Sequence, residues 1–205
     1  AKNPIPPMMW SYNDDIEPYA YDPDRARQLL AEAGLANGFE TELWAMPAAR
    51  PYMPQPEKIA QAIQADLAQV GIDARIVSPE WATYLDKVFK GHHDMCLLGW
   101  TGDNGDPDNF LYVLLDKLAA IKPAQNVAFY KSDELHEILV AARRETDLTH
   151  RTQMYRQAQE IIHDDAPWVP LVHATQTMAF REGVEGFQLH PTGSKWFQTT
   201  RLTPR

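Results

Sequence analysis

The sequence has little cysteine, no long apolar run and a deficit of basic residues. Its single cysteine, Cys96, excludes a disulfide within the chain, and its apolar surroundings favour a buried, unreactive thiol. The absence of about 18 consecutive apolar residues excludes a membrane-spanning helix. Nineteen Lys and Arg residues against 28 Asp and Glu residues give a net charge of -9. That charge argues against nucleic acid and anionic membrane surfaces as partners.

Motifs of activated nucleophiles are also missing. The sequence contains no nucleophile elbow, no phosphate-cradling Gly-rich loop and no recognisable Ser-His-Asp or Cys-His triad. We therefore expect no catalytic residue, and no bound metal ion or cofactor. The 205 residues are enough for one large domain or two small ones.

Strand and helix patterns alternate between residues 39 and 115. Each strand pattern is followed by a helical one, and the three strand patterns cover 39–46, 72–77 and 93–99. Strands joined through helices must lie largely parallel, with right-handed crossovers. The predicted fold class is therefore α/β, with a mostly parallel sheet flanked by helices.

Weaker patterns describe the rest of the chain. Residues 1–21 carry prolines and aromatics without a period, which predicts an extended segment held by its rings, and a helix follows at about 23–33. Helix 80–90 is expected to be capped at Ser78-Pro79. Two further helices are expected, one capped by Ser132 and running to about 145 and one capped by Thr149, and apolar strands are expected at 168–173 and 177–180. A boundary is predicted between an α/β unit, 1–173, and a tail, 174–205.

The loop 99–110, GWTGDNGDPDNF, has the composition of a site for a cation. Asp103 and Asp106 can only accept hydrogen bonds when ionised, Trp100 supplies a flat apolar wall, and the glycines allow close approach of a ligand. An ammonium group suits this set. The alternative is a purely structural loop, in which Asp106 caps a helix, Pro107 is its first residue and Trp100 belongs to the core.

Arg50 and Asp103 form a pair of opposite charges at predicted strand ends. Each lies in a loop that follows a parallel strand, so both loops open on the same edge of the sheet. If the two strands are neighbours, a zwitterion fits between the loops, with its carboxylate on Arg50 and its ammonium on Asp103.

A metal site is a further alternative for the same loop. Asp103, Asp106 and Asp108 suggest a calcium loop, but their order fails the EF-hand pattern, because glycine is not at the sixth position and no Glu closes the loop at the twelfth. A metal-assisted hydrolase using Asp103, Asp106 and His93 stays open as a function of another class.

Four segments together resemble the periplasmic dipeptide-binding proteins of ABC peptide transporters, in the peptide/nickel extracellular solute-binding family. They are AKNPIPP at 1–7, LWAMP at 43–47, RPY at 50–52 and GWTGDNGDPDNF at 99–110. The resemblance covers nearly the whole chain, as the carboxyl-terminal part of a receptor more than twice as long. It is consistent with a start that lacks an initiator Met and a visible signal peptide, so an excised piece of a periplasmic protein is expected.

The resemblance implies roles for individual residues. The ligand's amino group is expected on Asp103 and its carboxylate on Arg50, with Trp100 and Tyr52 beside the ligand and Thr101 and Gly102 in the same loop. It further implies a dipeptide or small peptide as ligand, and an ABC permease in the membrane as partner. Residues 1–173 would be the ligand-binding lobe, and 174–205 would return to an amino-terminal lobe that is missing here.

The ligand class and the shape of the loop after residue 110 stay open. Family members also include haem, glutathione, nickel and oligopeptide receptors, so the ligand class is less defined than the receptor class. The cysteine pair that some relatives carry after the GWTGDNGDPDNF segment is absent from residues 118–130, so that loop is expected to differ in shape.

Overall fold

A parallel three-stranded sheet positions the loops of interest. In the computed structural model, which describes residues 1–190 and 192–203, β1 (Phe39–Trp44) is central, between β2 (Ile72–Val77) and β3 (Met95–Cys96). Both neighbours run parallel to β1 in the order β2-β1-β3. The α/β prediction with a mostly parallel sheet is therefore confirmed.

Helices connect and flank these strands. The chain passes from β1 to β2 through one helix and from β2 to β3 through another, as the alternating pattern predicts. None of the described helices is both long and apolar enough to cross a membrane. The helices are α1 (Pro23–Glu32), α2 (Pro56–Ala68), α3 (Trp81–Phe89), α4 (Asp108–Leu115), a 3-10 turn (Lys117–Ala120), α5 (Asp133–Ala142) and α6 (Leu148–Asp165).

Two predicted helix caps are wrong by two residues. The side chain of Glu80, and not Ser78, accepts hydrogen bonds from the first turn of α3, and Asp147 replaces Thr149 in front of α6. A carboxylate accepts hydrogen bonds as a hydroxyl does and also matches the positive end of the helix dipole. Ser132 caps α5 as predicted, accepting from the backbone N-H of Leu135 at 3.1 Å, although α5 ends at 142 rather than near 145.

Several strand predictions are wrong because the apolar segments do not pair with a neighbouring strand. The third strand is restricted to Met95–Cys96 instead of 93–99. Residues 166–183, all of them described, form no strand, so the strands predicted at 168–173 and 177–180 are wrong. Their apolar side chains are not uniformly buried either, since Val169 is 79% exposed while Leu171 packs against the core beside the sheet.

The tail consists of two small antiparallel pairs. Strands β4 (Val184–Glu185) and β7 (Arg201–Leu202) form one, and β5 (Gln188–Leu189) and β6 (Lys195–Trp196) the other. In the part of the chain that the structure describes, these strands pair with one another and not with the parallel sheet. The boundary at residue 173 stays a prediction, and residues 191, 204 and 205 of the predicted tail lie outside the described residues.

Buried amides hold the amino-terminal segment against α6. Gln159 accepts from the backbone N-H of Asn13 at 3.1 Å and donates to the carbonyl of Ser11 at 2.9 Å, and all three residues are buried. The aromatic rings were expected to supply anchors, and they contribute, since Tyr12 packs against the core and Tyr19 stacks on His163 of α6 with ring centroids 4.4 Å apart. Tyr19 and Tyr21 nevertheless stay largely exposed. Because a buried amide must find partners for both its oxygen and its nitrogen, this network fixes the path of the segment.

Two hydrophobic cores meet at the loop 99–110. One lies beside the sheet and includes Leu43, Trp44 and Tyr84; the other is built by α4, α5 and α6 and includes Phe110 and Leu111. The loop leaves the first core and enters the second, so both of its ends rest on packed elements.

Candidate functional site

The buried Tyr84 of α3 ties the ends of β1 and β3 together. Its hydroxyl donates to the carbonyl of Leu97 at 2.6 Å and lies 3.2 Å from the carbonyl of Trp44. Burial raises the pKa of Tyr84, so the phenol remains a donor. Trp44 and Cys96 are direct partners in the parallel ladder, so the loops that follow them start from adjacent strands, as the zwitterion hypothesis requires.

The two loops touch through Tyr52 and Gly99. A Cβ atom at Gly99 would lie only 2.3 Å from Cδ2 of the Tyr52 ring, so this contact needs glycine. Burial raises the pKa of Tyr52, while the nearby Arg50 cation and the backbone of Gly99 oppose that shift. Tyr52 therefore links the arginine of the first loop to the start of the second.

The guanidinium of Arg50 lies over an indole ring. Its Cζ atom lies 3.9 Å from the ring centroid of Trp81, the first residue of α3. The backbone of Arg50 is also fixed, since its N-H and C=O pair with Met53 at 3.0 and 2.9 Å. Within residues 1–190 and 192–203 the side chain makes no salt bridge, and its buried Nε has no hydrogen-bond partner. Stacking occupies the face of the guanidinium and leaves its donor edge to a carboxylate.

Asn109 holds the acidic side of the site. Its Oδ1 accepts from the indole Nε1-H of Trp100 and from the backbone N-H of Asp103, each at 2.9 Å. Its Nδ2 donates to Oδ2 of Asp103 at 3.3 Å. Asp103 is exposed and makes no salt bridge in the described part of the chain. The site thus presents one cation and one anion at neighbouring strand ends, neither of them neutralised from within the described chain.

Thr101 and Gly102 complete the predicted set. Thr101 is exposed at the surface of the loop, and Gly102 lies against the ring of Phe110, where a Cβ atom would come within 2.6 Å of Cε2. Gly102 is therefore explained by packing. None of these contacts tests whether the six residues bind a ligand, and their assignment stays a prediction.

Asp106 belongs to the scaffold rather than to the open site. Arg151 of α6 binds it with both terminal nitrogens, at 2.7 and 3.0 Å. Its Oδ1 also accepts from the backbone N-H of Asp108 at 3.0 Å. The helix itself begins at Asp108 with Pro107 in the cap position, one residue later than the structural alternative placed it.

The positions of His93 and Asp106 argue against the proposed metal sites. His93 is directed to the carbonyl of Val127, which lies 3.0 Å from Nε2, while the carboxylate of Asp106 is taken by Arg151. Among the described residues, no group of three or more His, Cys, Asp or Glu side chains could hold a metal ion. A hydrolase built on Asp103, Asp106 and His93 therefore finds no support in this arrangement.

Three residues that support the candidate site were not predicted from the sequence. Asn109 could have been suspected, since an amide in the first turn of a helix often bonds to the preceding loop. Trp81 and Arg151 carry no such signal, because they reach the site from α3 and α6 through tertiary packing.

Comparison with known proteins gives the family. The model for the middle region of family 5 of the bacterial extracellular solute-binding proteins matches residues 1–120. This chain belongs to that family. It is 43% identical over 202 residues to the dipeptide-binding protein of Escherichia coli K12, covering 98% of this chain and 38% of the relative. It is 42% identical over 193 residues to haem-binding protein A of Haemophilus influenzae, covering 94% of this chain and 35% of the relative.

Solved structures of the family have the same fold. The ABC transporter-associated periplasmic binding protein DppA from Helicobacter pylori, in complex with the peptide STSA, superposes with a TM-score of 0.83 at 40% identity. That superposition covers 98% of this chain and 38% of the Helicobacter chain. The present chain thus spans well under half the length of these relatives.

Proposed function

We propose that the chain is the part of a periplasmic peptide receptor that binds both charged ends of a dipeptide. The observation that carries the proposal is the placement of Arg50 and Asp103 in loops that leave adjacent parallel strands, with no internal salt bridge to either within the described residues. Charged groups held in place without a partner are suited to a ligand that brings the opposite charges.

The spacing of neighbouring strands supports a short zwitterion as ligand. Neighbouring strands lie about 4.8 Å apart, and the two side chains add their own reach. A dipeptide separates its ammonium and carboxylate by a comparable span. Trp100 and Tyr52 supply the apolar walls beside these charges, as binding sites for small ligands generally require. The Escherichia coli relative, a dipeptide-binding protein, supports the same ligand class.

The partners follow from the relatives. The ABC transporter association of the Helicobacter protein supports an ABC permease as the partner in the membrane and the periplasm as the location. An amino-terminal lobe, present in a receptor of the relatives' length, would close the cleft over the ligand. The role is binding and delivery without catalysis, since the relatives are binding proteins and no nucleophile motif is present.

A second ligand class is supported by the haem-binding relative. Haem carries propionate carboxylates and no ammonium group. It could therefore engage Arg50 but would leave Asp103 without a partner. The role of Asp103 thus separates the two ligand classes.

End-blocked ligands test the proposal by calorimetry. The full-length receptor, here this chain joined to the amino-terminal part of the Escherichia coli relative, is titrated with Ala-Phe, N-acetyl-Ala-Phe, Ala-Phe amide and haem. We expect each blocked peptide to bind more weakly than Ala-Phe by about 3 kcal/mol, because each leaves one buried charge unpaired. Equal binding of free and blocked peptides, or a clear preference for haem, would contradict the proposal.

A further inference from the structure

A single side-chain amide connects the acidic and aromatic parts of the site. The oxygen of Asn109 accepts from Trp100 and from the backbone of Asp103, and its nitrogen donates to the carboxylate of Asp103. An amide can do this because it carries two acceptor lone pairs and two donors on one planar group. An aspartate in its place would retain the acceptor bonds but would put a like charge beside Asp103.

The loop itself gives Asp103 little rigidity. Gly102 and Gly105 flank it closely, Asp103 is exposed, and a Cβ atom at Gly105 would meet no atom within 4 Å. An exposed carboxylate in such a loop samples several rotamers, and binding a ligand would have to immobilise it. The hydrogen bond from Asn109 restrains Oδ2 of Asp103, and no residue of the described chain bonds to Oδ1.

Asn109, by contrast, stands on a rigid element. It is the second residue of α4, and the next two residues, Phe110 and Leu111, are buried in the core formed by α4, α5 and α6. The start of α4 is fixed by Asp106, whose carboxylate accepts from the backbone N-H of Asp108 and is bound by Arg151. The position of the Asn109 amide is therefore set by the packed core and not by the loop to which it bonds.

We propose that Asn109 is a positioning residue for recognition of the ligand's ammonium group. It fixes the carboxylate of Asp103 and the indole of Trp100 in one arrangement before the ligand arrives. This inference rests on the proposed function, since it concerns the partner of the ligand's amino end. It predicts a selective effect, because Arg50 at the other end of the ligand is held by Trp81 and Met53 and does not contact Asn109.

The test compares Asn109→Ala with a matched control in the full-length receptor. Asn104→Ala is the control, because Asn104 lies in the same loop and bonds to the backbone N-H of Asp106 instead of to Asp103. Affinities for Ala-Phe and N-acetyl-Ala-Phe are measured by calorimetry. We expect Asn109→Ala to weaken binding of Ala-Phe about 10-fold and binding of the acetylated peptide less than about twofold. Asn104→Ala should change neither by more than about twofold.

Each outcome distinguishes positioning from general structural support. If Asn109→Ala weakens both peptides equally while the wild type prefers the free amine, the positioning proposal is wrong and the proposed function stands. If the wild type itself shows no preference for the free amine, both are wrong. If Asn109→Ala does not fold, Asn109→Ser replaces it, since a polar side chain suits the first turn of a helix. Its hydroxyl is one bond too short to reach Asp103, so a selective loss of about 10-fold is again expected. An equal loss for both peptides overturns the proposal.

Discussion

Replacing Asp103 by Ala in the full-length receptor is expected to weaken binding of Ala-Phe by about 3 kcal/mol without weakening binding of N-acetyl-Ala-Phe. In a closed cleft the ligand's ammonium would be left without a counter-charge, and a desolvated, unpaired charge is costly. The acetylated peptide has no ammonium to leave unpaired, and it no longer buries the unpaired carboxylate of Asp103, so its affinity should stay the same or rise. Calorimetry with both peptides on wild type and variant gives this difference directly.

Arg50→Ala is expected to show the mirror image of this pattern. It should weaken binding of Ala-Phe by a similar amount, and binding of Ala-Phe amide should stay the same or rise because no unpaired cation is buried against it. Arg75→Ala and Asp86→Ala are matched controls, since each removes one partner of an exposed salt bridge, with Glu42 and Lys90 respectively, and should leave affinity unchanged. Unchanged affinity for Ala-Phe in Arg50→Ala or Asp103→Ala would remove that residue from the site.

The second large effect is on stability, through the clamp between Asp106 and Arg151. Arg151→Met is expected to lower the free energy of unfolding of this 205-residue chain by about 3 kcal/mol. The guanidinium side chain is only 20% exposed and binds the carboxylate of Asp106 twice, the carbonyl of Ala142 at 2.8 Å and the hydroxyl of Tyr155 at 3.0 Å. Its removal leaves those acceptors unpaired in a partly buried place.

Arg143→Met is the control for that measurement. Arg143 also contacts an acidic residue, at the start of α4, but its side chain is 47% exposed and it meets Asp108 in a single contact of 3.3 Å. Its loss should cost no more than about 1 kcal/mol. Urea unfolding of both variants, together with Asp106→Asn and the double variant, measures the coupling. Loss of less than 1 kcal/mol in Arg151→Met would mean that the clamp does not hold the loop to α6.

The arrangement of the sheet could be predicted because its rules act locally. Helices between successive strands enforce parallel strands, and loops after parallel strands share one edge. These rules predict that Arg50 and Asp103 lie at the same edge of the sheet. They do not show that the two strands are neighbours, which required the observed order with β1 in the centre.

Sequence reasoning failed where a feature depends on tertiary contacts. The apolar runs at 168–173 and 177–180 have strand-like composition, but a strand also needs a free pairing edge, and none is used there. Trp81 beneath Arg50 and Arg151 beside Asp106 are likewise distant in sequence from the residues that they hold. The charged pair was visible in the sequence, whereas Trp81, which holds the cation of the pair, was not.

The most direct measurement is a crystal structure of the full-length receptor with Ala-Phe bound. It should place the ligand's ammonium within about 3 Å of the carboxylate of Asp103 and its carboxylate on the donor edge of Arg50. Trp81 should remain stacked beneath the guanidinium, and Asn109 should remain bonded to Asp103. A dipeptide whose charged ends contact other residues, with Arg50 and Asp103 facing solvent, would contradict the account.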